Sequence, residues 1–275
     1  MRRVNDRYTK GFVAHGDAEI YYEICGSGPA LVFAHGLGGN HLSWWQQVAH
    51  FSARFTCVAF SHRGFAPSRL ARTVPDPADF ASDLQSLIAH LDLDDVRLVA
   101  QSMGGWTCLE YALRAPERVT ALVLACTTGT ADPGRLRDSD PAALARWSES
   151  AARQMERLRA ADIHPAAGER MAREQPALHH LYRQIDSLNA GLDKESLRRK
   201  LYAARVTGPE RLATLKMPVL CISGAEDVVM PTAAVRALAT TLPSGSFAEH
   251  PGAGHSVYFE HAAWFNARLD RFLQT

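Results

Sequence analysis

Five short runs of the chain have almost no polar side: "ALVFAHG" (30–36), "FTCVAF" (55–60), "VRLVAQ" (96–101), "VTALVLA" (119–125) and "PVLCIS" (218–223). A strand that is apolar on both faces must be covered on both faces, as in a parallel sheet sandwiched by helices. Helical patterns lie between the runs. Asp76-Pro77 forms a cap and first turn, after which Leu84, Leu87, Ile88 and Leu91 share one face. Trp106, Leu109 and Leu113 repeat at the same period before Pro116 stops the helix. Repeated strand–helix–strand order predicts an α/β fold with a mostly parallel central sheet and right-handed crossovers. The runs "GFVAH" and "EIYYEI", joined by Gly16-Asp17-Ala18, predict an amino-terminal hairpin. "SFAEH" predicts a last strand ahead of a helix bearing Phe265, Leu269 and Phe272.

The rhythm breaks between residues 131 and 206, where no strand pattern occurs. Leu144, Trp147, Ala151, Met155 and Leu158 form one helical stripe, and Leu178, Leu181, Ile185, Leu188 and Leu192 form another. Asp132-Pro133-Gly134 opens the segment and Thr207-Gly208-Pro209 closes it. The expected organisation is a core in two parts, residues 1–130 and 207–275, with residues 131–206 inserted as a helical lid.

A net charge of +1 over 275 residues offers no basic excess for nucleic acid. The arginines of the middle segment alternate with Asp and Glu, which reads as a solvated helix surface. Five scattered cysteines, Cys25, Cys57, Cys108, Cys126 and Cys221, predict buried thiols rather than a disulfide framework. No CxxC occurs and the doublet His179–His180 has no partner at metal-ligand spacing, so no metal site is expected. The amino terminus "MRRVNDRYTKGF" lacks a secretion signal and nothing approaches a membrane span, which points to a cytoplasmic setting. A small molecule is the expected partner, and a homodimer stays open.

Ser102, in "LVAQSMGGW", follows a buried strand and opens a helix. So sharp a turn forces a strained backbone, raises the side chain above the sheet, and needs small neighbours, here Ala100 and Gly104. Ala100-Gln101-Ser102-Met103-Gly104 resembles the G-x-S-x-G nucleophile elbow of the α/β-hydrolase family, with alanine for the first glycine, and the resemblance spans nearly the whole chain. Family order requires an acid and then a histidine. In "CISGAEDVVMP", Gly224 to Asp227 matches the family's G-x-x-D, with Glu226 as the local competitor. In "HPGAGHSVYF", His255 has the family's final loop context, with His250 and His261 as alternatives. The stretch Ser61-His62-Arg63-Gly64-Phe65-Ala66-Pro67-Ser68 departs from the family's Asp-x-Arg-Gly-x-Gly-x-Ser and reads as structural.

The resemblance implies a Ser102–His255–Asp227 triad, an oxyanion hole from the backbone amides of Leu37 and Met103, and no cofactor. His35, Gly36, Trp106 and Trp147 are the candidate substrate contacts. Trp147, Met155, Leu178 and Leu188 suggest an apolar pocket. The function implied is serine hydrolysis of carboxylic esters or lactones of small, mainly apolar substrates. The alternatives are carbon–carbon bond hydrolysis with the same triad, and a ligand receptor that retains it.

Overall fold

All five residues of Ala30–Ala34 are buried, and their side chains alternate between two apolar layers. Leu31 and Phe33 join one layer, Val32 and Ala34 the other. In this computed structural model, which describes residues 8–72 and 74–274, the run is the third of nine strands: β1 (Thr9–His15), β2 (Ala18–Cys25), β3 (Ala30–Ala34), β4 (Thr56–Phe60), β5 (Arg69–Leu70), β6 (Val96–Gln101), β7 (Val119–Ala125), β8 (Val219–Gly224) and β9 (Gly245–His250). Residues 1–7, most of the stretch read as lacking a secretion signal, lie outside the described residues. The sheet order is β1-β2-β4-β3-β6-β7-β8-β9, with β5 paired to β2. The hairpin β1–β2 and the pair β2–β4 are antiparallel, and every pairing from β4 through β9 is parallel.

The helices are α1 (Trp45–Phe51), α2 (Phe80–His90), α3 (Gly104–Arg114), α4 (Pro141–Ala160), α5 (Gly168–Glu174), α6 (Pro176–Ser187), α7 (Lys194–Ala203), α8 (Pro209–Leu212), α9 (Thr232–Thr241), α10 (Val257–Glu260) and α11 (Ala262–Leu273). From β3 the chain passes to its neighbour β4, and from β6 to β7 on the other side. The winding direction therefore reverses between β3 and β6, and a crevice opens at their carboxyl ends.

Helices α4 to α8 follow β7 and precede β8. The two ends of this segment meet: the Asp132 amide donates to the Thr207 carbonyl (3.0 Å), and the Thr207 amide donates to the Thr130 carbonyl (2.9 Å). Three details depart from the sequence expectation. Strand β3 ends at Ala34 rather than Gly36, because His35 and Gly36 already turn into the following loop. The segment holds more helices than its two stripes suggest, since Pro176 starts α6 directly after α5. The second stripe also outruns its helix: α6 stops at Ser187, Leu188 is 55% exposed, and Asp193 caps α7 by accepting from the Ser196 amide.

Arg63 lies fully inside this frame. Its guanidinium donates to both oxygens of buried Asp83, at 2.7 and 2.6 Å, and to Asp79 at 2.7 Å. Asp83 also accepts from Nδ1 of His15 at 2.8 Å, so it ties the loop after β4 to α2 and the hairpin. Removing one member of such a pair leaves an uncompensated buried charge. Asp83→Ala is expected to lower the unfolding free energy by about 3–5 kcal/mol in urea titrations. A loss below about 1 kcal/mol, the range of an exposed pair, would contradict this reading.

Candidate active site

Ser102 sits between β6 and α3 with φ of +48°, in the left-handed region that costs a non-glycine residue energy. Its amide donates to the Ala125 carbonyl (3.0 Å), which anchors the turn to β7. A Cβ at Gly104 would lie 2.2 Å from the Ala34 carbonyl oxygen, so α3 can pass this close to β3 only with glycine there. A Cβ at Gly36 would meet Gln101 Oε1 at 2.1 Å and the Ser102 Cβ at 3.1 Å. The loop after β3 thus lies directly against the turn holding Ser102.

Asp227 and His255 come from the ends of β8 and β9 and are both buried. His255 Nδ1 and Asp227 Oδ2 are 2.8 Å apart. A carboxylate only accepts, so Nδ1 carries the proton and Nε2 is left as the basic nitrogen. The second carboxylate oxygen of Asp227 accepts from the amides of Val229 (2.7 Å) and Met230 (2.9 Å), which fixes its plane. His255 Nε2 is buried without a hydrogen-bond partner among the described residues, and His255 shares a cavity of about 630 Å³ with half-buried Ser102. The rival residues are engaged elsewhere. Glu226 pairs with Arg170, while His250 and His261 stack on each other at 3.9 Å, away from the cavity wall.

Two supports of the His255 loop carried no sequence signal. Gln101 Nε2 donates to the His255 carbonyl at 2.9 Å. Glu260 accepts from the Gly254 amide at 2.6 Å through one oxygen, while the other is buried without a partner. Burial pushes the Glu260 carboxyl up to about 8, against the lowering pull of the Gly254 amide.

Leu37 and Met103 both line the cavity, and among the described residues neither backbone amide donates to a backbone carbonyl. His35 does not reach the cavity. It is wholly buried: Nδ1 donates to the Gly36 carbonyl (2.8 Å) and Nε2 accepts from the His62 amide (2.9 Å). Burial lowers its pKa to about 3, so it stays neutral. Its place is under the glycine loop rather than on a ligand. Gly36 likewise packs on Gln101 instead of lining the cavity.

Trp106 does line the cavity, and its Nε1 donates to the Leu201 carbonyl on α7 (2.9 Å). Trp147 does not. With Leu144, at the start of α4, it borders a separate cavity of about 250 Å³ that Pro231 and Ala234 also line. Of the expected apolar contacts only Met155 lines the main cavity; Leu178 packs on the core and Leu188 is exposed. Tyr182 is a lining residue that the sequence did not single out. Charged side chains from α4 to α7 also reach the wall, including Arg159, Lys194 and Arg205, where the sequence suggested only a solvated surface.

One cluster of possible metal donors occurs among the described residues, namely Cys126, Asp227 and His255. Asp227 already has both oxygens engaged, and burial raises the Cys126 thiol far above its ordinary range, which holds it protonated. A thiol ligand would have to be deprotonated, so this donor set is a poor fit for a metal.

A family model described as alpha/beta hydrolase fold matches residues 29–262. A Caulobacter sp. (strain K31) protein, provisionally named carbamate hydrolase RutD, is 28% identical over 92% of this chain and 95% of its own. The solved structure of a thermophilic esterase from Thermogutta terrifontis superposes with a TM-score of 0.75 at 24% identity, covering 98% of both chains. An enol-lactonase from Burkholderia xenovorans LB400 gives 0.73 at 22% identity, covering 96% of this chain and all of that one.

The raised Glu260 carboxyl sets the sign of a pH effect. The unfolded chain releases this proton near 4.5 and the folded chain near 8, so between those values the native state binds more protons and stability falls as pH rises. Glu260→Gln keeps an acceptor for the Gly254 amide but has no proton to lose. Its stability relative to wild type is expected to grow between pH 5 and 8, by at most about 1.4 kcal/mol per pH unit. Urea titrations showing a pH-independent difference would refute the assignment.

Proposed function

The chain belongs to the alpha/beta-hydrolase fold family, and from that premise we propose that it is a serine hydrolase acting on small carboxylic esters or lactones. The observation that carries this reading is the state of His255. Its Nδ1 is held by Asp227, and among the described residues its buried Nε2 has no hydrogen-bond partner beside a cavity that Ser102 also lines. An imidazole so oriented is a general base awaiting a hydroxyl proton.

In the mechanism proposed, Ser102 Oγ attacks the acyl carbon while His255 Nε2 takes its proton. Asp227 keeps the ring in the required tautomer and stabilises the imidazolium. The carbonyl oxygen becomes negative and is met by the amides of Leu37 and Met103, with the amino terminus of α3 behind them. Collapse expels the alcohol, which is protonated by His255, and leaves Ser102 acylated. A water molecule deprotonated by His255 then releases the acid and restores Ser102.

Helices α4 to α7 are read as a lid, on the support that Met155, Tyr182 and Lys194 contribute to the cavity wall. A cytoplasmic location is consistent with five free thiols, four of them buried. No helix among the described residues is long and apolar enough to cross a membrane.

Ser102→Ala is expected to lower kcat/KM toward p-nitrophenyl esters by about 10⁴-fold or more. A fluorophosphonate is expected to add one covalent mass to wild type and none to the variant. Near-normal turnover by Ser102→Ala, or labelling at another residue, would overturn the mechanism.

A further inference from the structure

The cavity beside Ser102 is short of negative charge. Arg159, Arg183, Lys194, Arg198 and Arg205 line it against only Asp162, Asp186 and Glu195. Three of the cations are answered within the wall: Arg183 by Asp162 at 2.7 Å, Lys194 by Asp186 at 2.5 Å, and Arg198 by Glu195. Among the described residues, Arg159 and Arg205 have no carboxylate within ion-pair reach.

These two differ in setting. Arg159 is exposed, and water solvates its charge. Arg205 is half-buried just after α7, with its guanidinium 4.9 Å from the ring centre of Trp106 and 4.8 Å from that of Tyr202. The Trp106 ring is itself fixed by its hydrogen bond to Leu201, and it lies one helical turn beyond Ser102. Aromatic faces steady a cation and orient its plane. They do not replace hydrogen bonds, and among the described residues the Arg205 Nε is buried without an acceptor. The two terminal guanidinium nitrogens are not closed off in this way, and among the described residues no hydrogen bond engages them, so a ligand in the cavity can supply their acceptor. Burial also lowers the guanidinium pKa, with the charges of Tyr202 and Asp132 opposing. At neutral pH the group remains charged.

We propose that the substrate carries a carboxylate of its own, and that Arg205 binds it while Ser102 attacks the ester or lactone carbonyl. A planar guanidinium matches a carboxylate in a two-bond fork, and one fixed guanidinium suits a monoanion better than a phosphate dianion. Arg159 adds positive potential that draws the anion into the cavity. The substrate class is therefore a short-chain ester or lactone of a dicarboxylic or otherwise carboxylate-bearing acid. This rests on the reading of Ser102 as nucleophile, and the test separates the two.

The paired substrates are p-nitrophenyl valerate and mono-p-nitrophenyl glutarate, which differ in that a terminal methyl becomes a carboxylate. Wild type is expected to prefer the glutarate by tenfold or more in kcat/KM, chiefly through KM. Arg205→Gln is expected to bring that ratio close to one, and Arg205→Lys to restore part of it. A wild-type ratio of one or below, or a preference that survives in a folded Arg205→Gln, overturns the proposal. If Arg205→Gln does not fold, the wild-type ratio and the Lys variant decide. If neither ester is turned over, the nucleophile reading has failed, and calorimetry with monomethyl and dimethyl glutarate settles the anion site alone. At least tenfold tighter binding of the monoanion by wild type, lost in the variant, upholds it; equal binding of the two refutes it.

Discussion

The close approach of three backbone segments at one point of the sheet is the constraint on which the rest of the molecule depends. Helix α3 presses on the end of β3, leaving no room for a Cβ at Gly104. The loop after β3 presses on Gln101 and Ser102, leaving none at Gly36. Ser102, between these contacts, is held at positive φ by a fold whose order it did not choose. Strain of this kind persists only where the surroundings over-determine it. Here they do: β3 is buried throughout, β6 and β7 are buried over their carboxyl halves, and their parallel register fixes where each carboxyl end stops. The reversal of strand order between β3 and β6 then makes the strained residue the floor of a crevice rather than a packed contact.

The same logic explains what the sequence reveals. Near-continuous apolar runs can only be doubly covered strands, so the sheet is legible, and residues placed just beyond strand ends stand out against it. Ser102, Asp227 and His255 are of that kind. Gln101 and Glu260 are not, although one holds the His255 carbonyl and the other the Gly254 amide. A glutamine at a strand end and a glutamate in a short helix have many ordinary uses, and only the approach of β6 to the last loop reveals theirs. His35 shows the converse. Its position after β3 suggests a ligand contact, yet full burial and two hydrogen bonds make it a prop for the glycine loop.

Helical periodicity misleads more in the segment between β7 and β8. A stripe of apolar residues says that a helix has a buried face, but not what that face is buried against. Trp147 therefore faces α9 instead of the cavity. Alternating Arg and Asp or Glu reads as solvated surface, because pairing along a helix is the common reason for such alternation. In the wall of the cavity only Arg198–Glu195 pairs in this way along α7, whereas Lys194–Asp186 and Arg183–Asp162 pair between segments, and among the described residues Arg205 has two aromatic rings and no carboxylate within ion-pair reach. A missing counter-charge is a three-dimensional fact with no one-dimensional signature.

The core and the inserted helices are nonetheless mechanically joined. Asn189, buried just after α6, donates through Nδ2 to the Gly39 carbonyl (3.1 Å) and accepts at Oδ1 from the Ala66 amide (2.8 Å). One side chain of the insertion thus clamps the glycine loop that carries the Leu37 amide to the loop after β4. Trp106 supplies a second joint, from α3 to α7, and its ring is also one wall of the Arg205 site. Leu201 on α7 and Arg205 just beyond it both contact Trp106, one turn from Ser102. The proposed anion site and the proposed nucleophile are therefore fastened to the same few hydrogen bonds. On the mechanism proposed, such coupling would let binding in the insertion hold the catalytic geometry, and a loosely seated ligand would be a poor substrate even with its carbonyl within reach of Ser102.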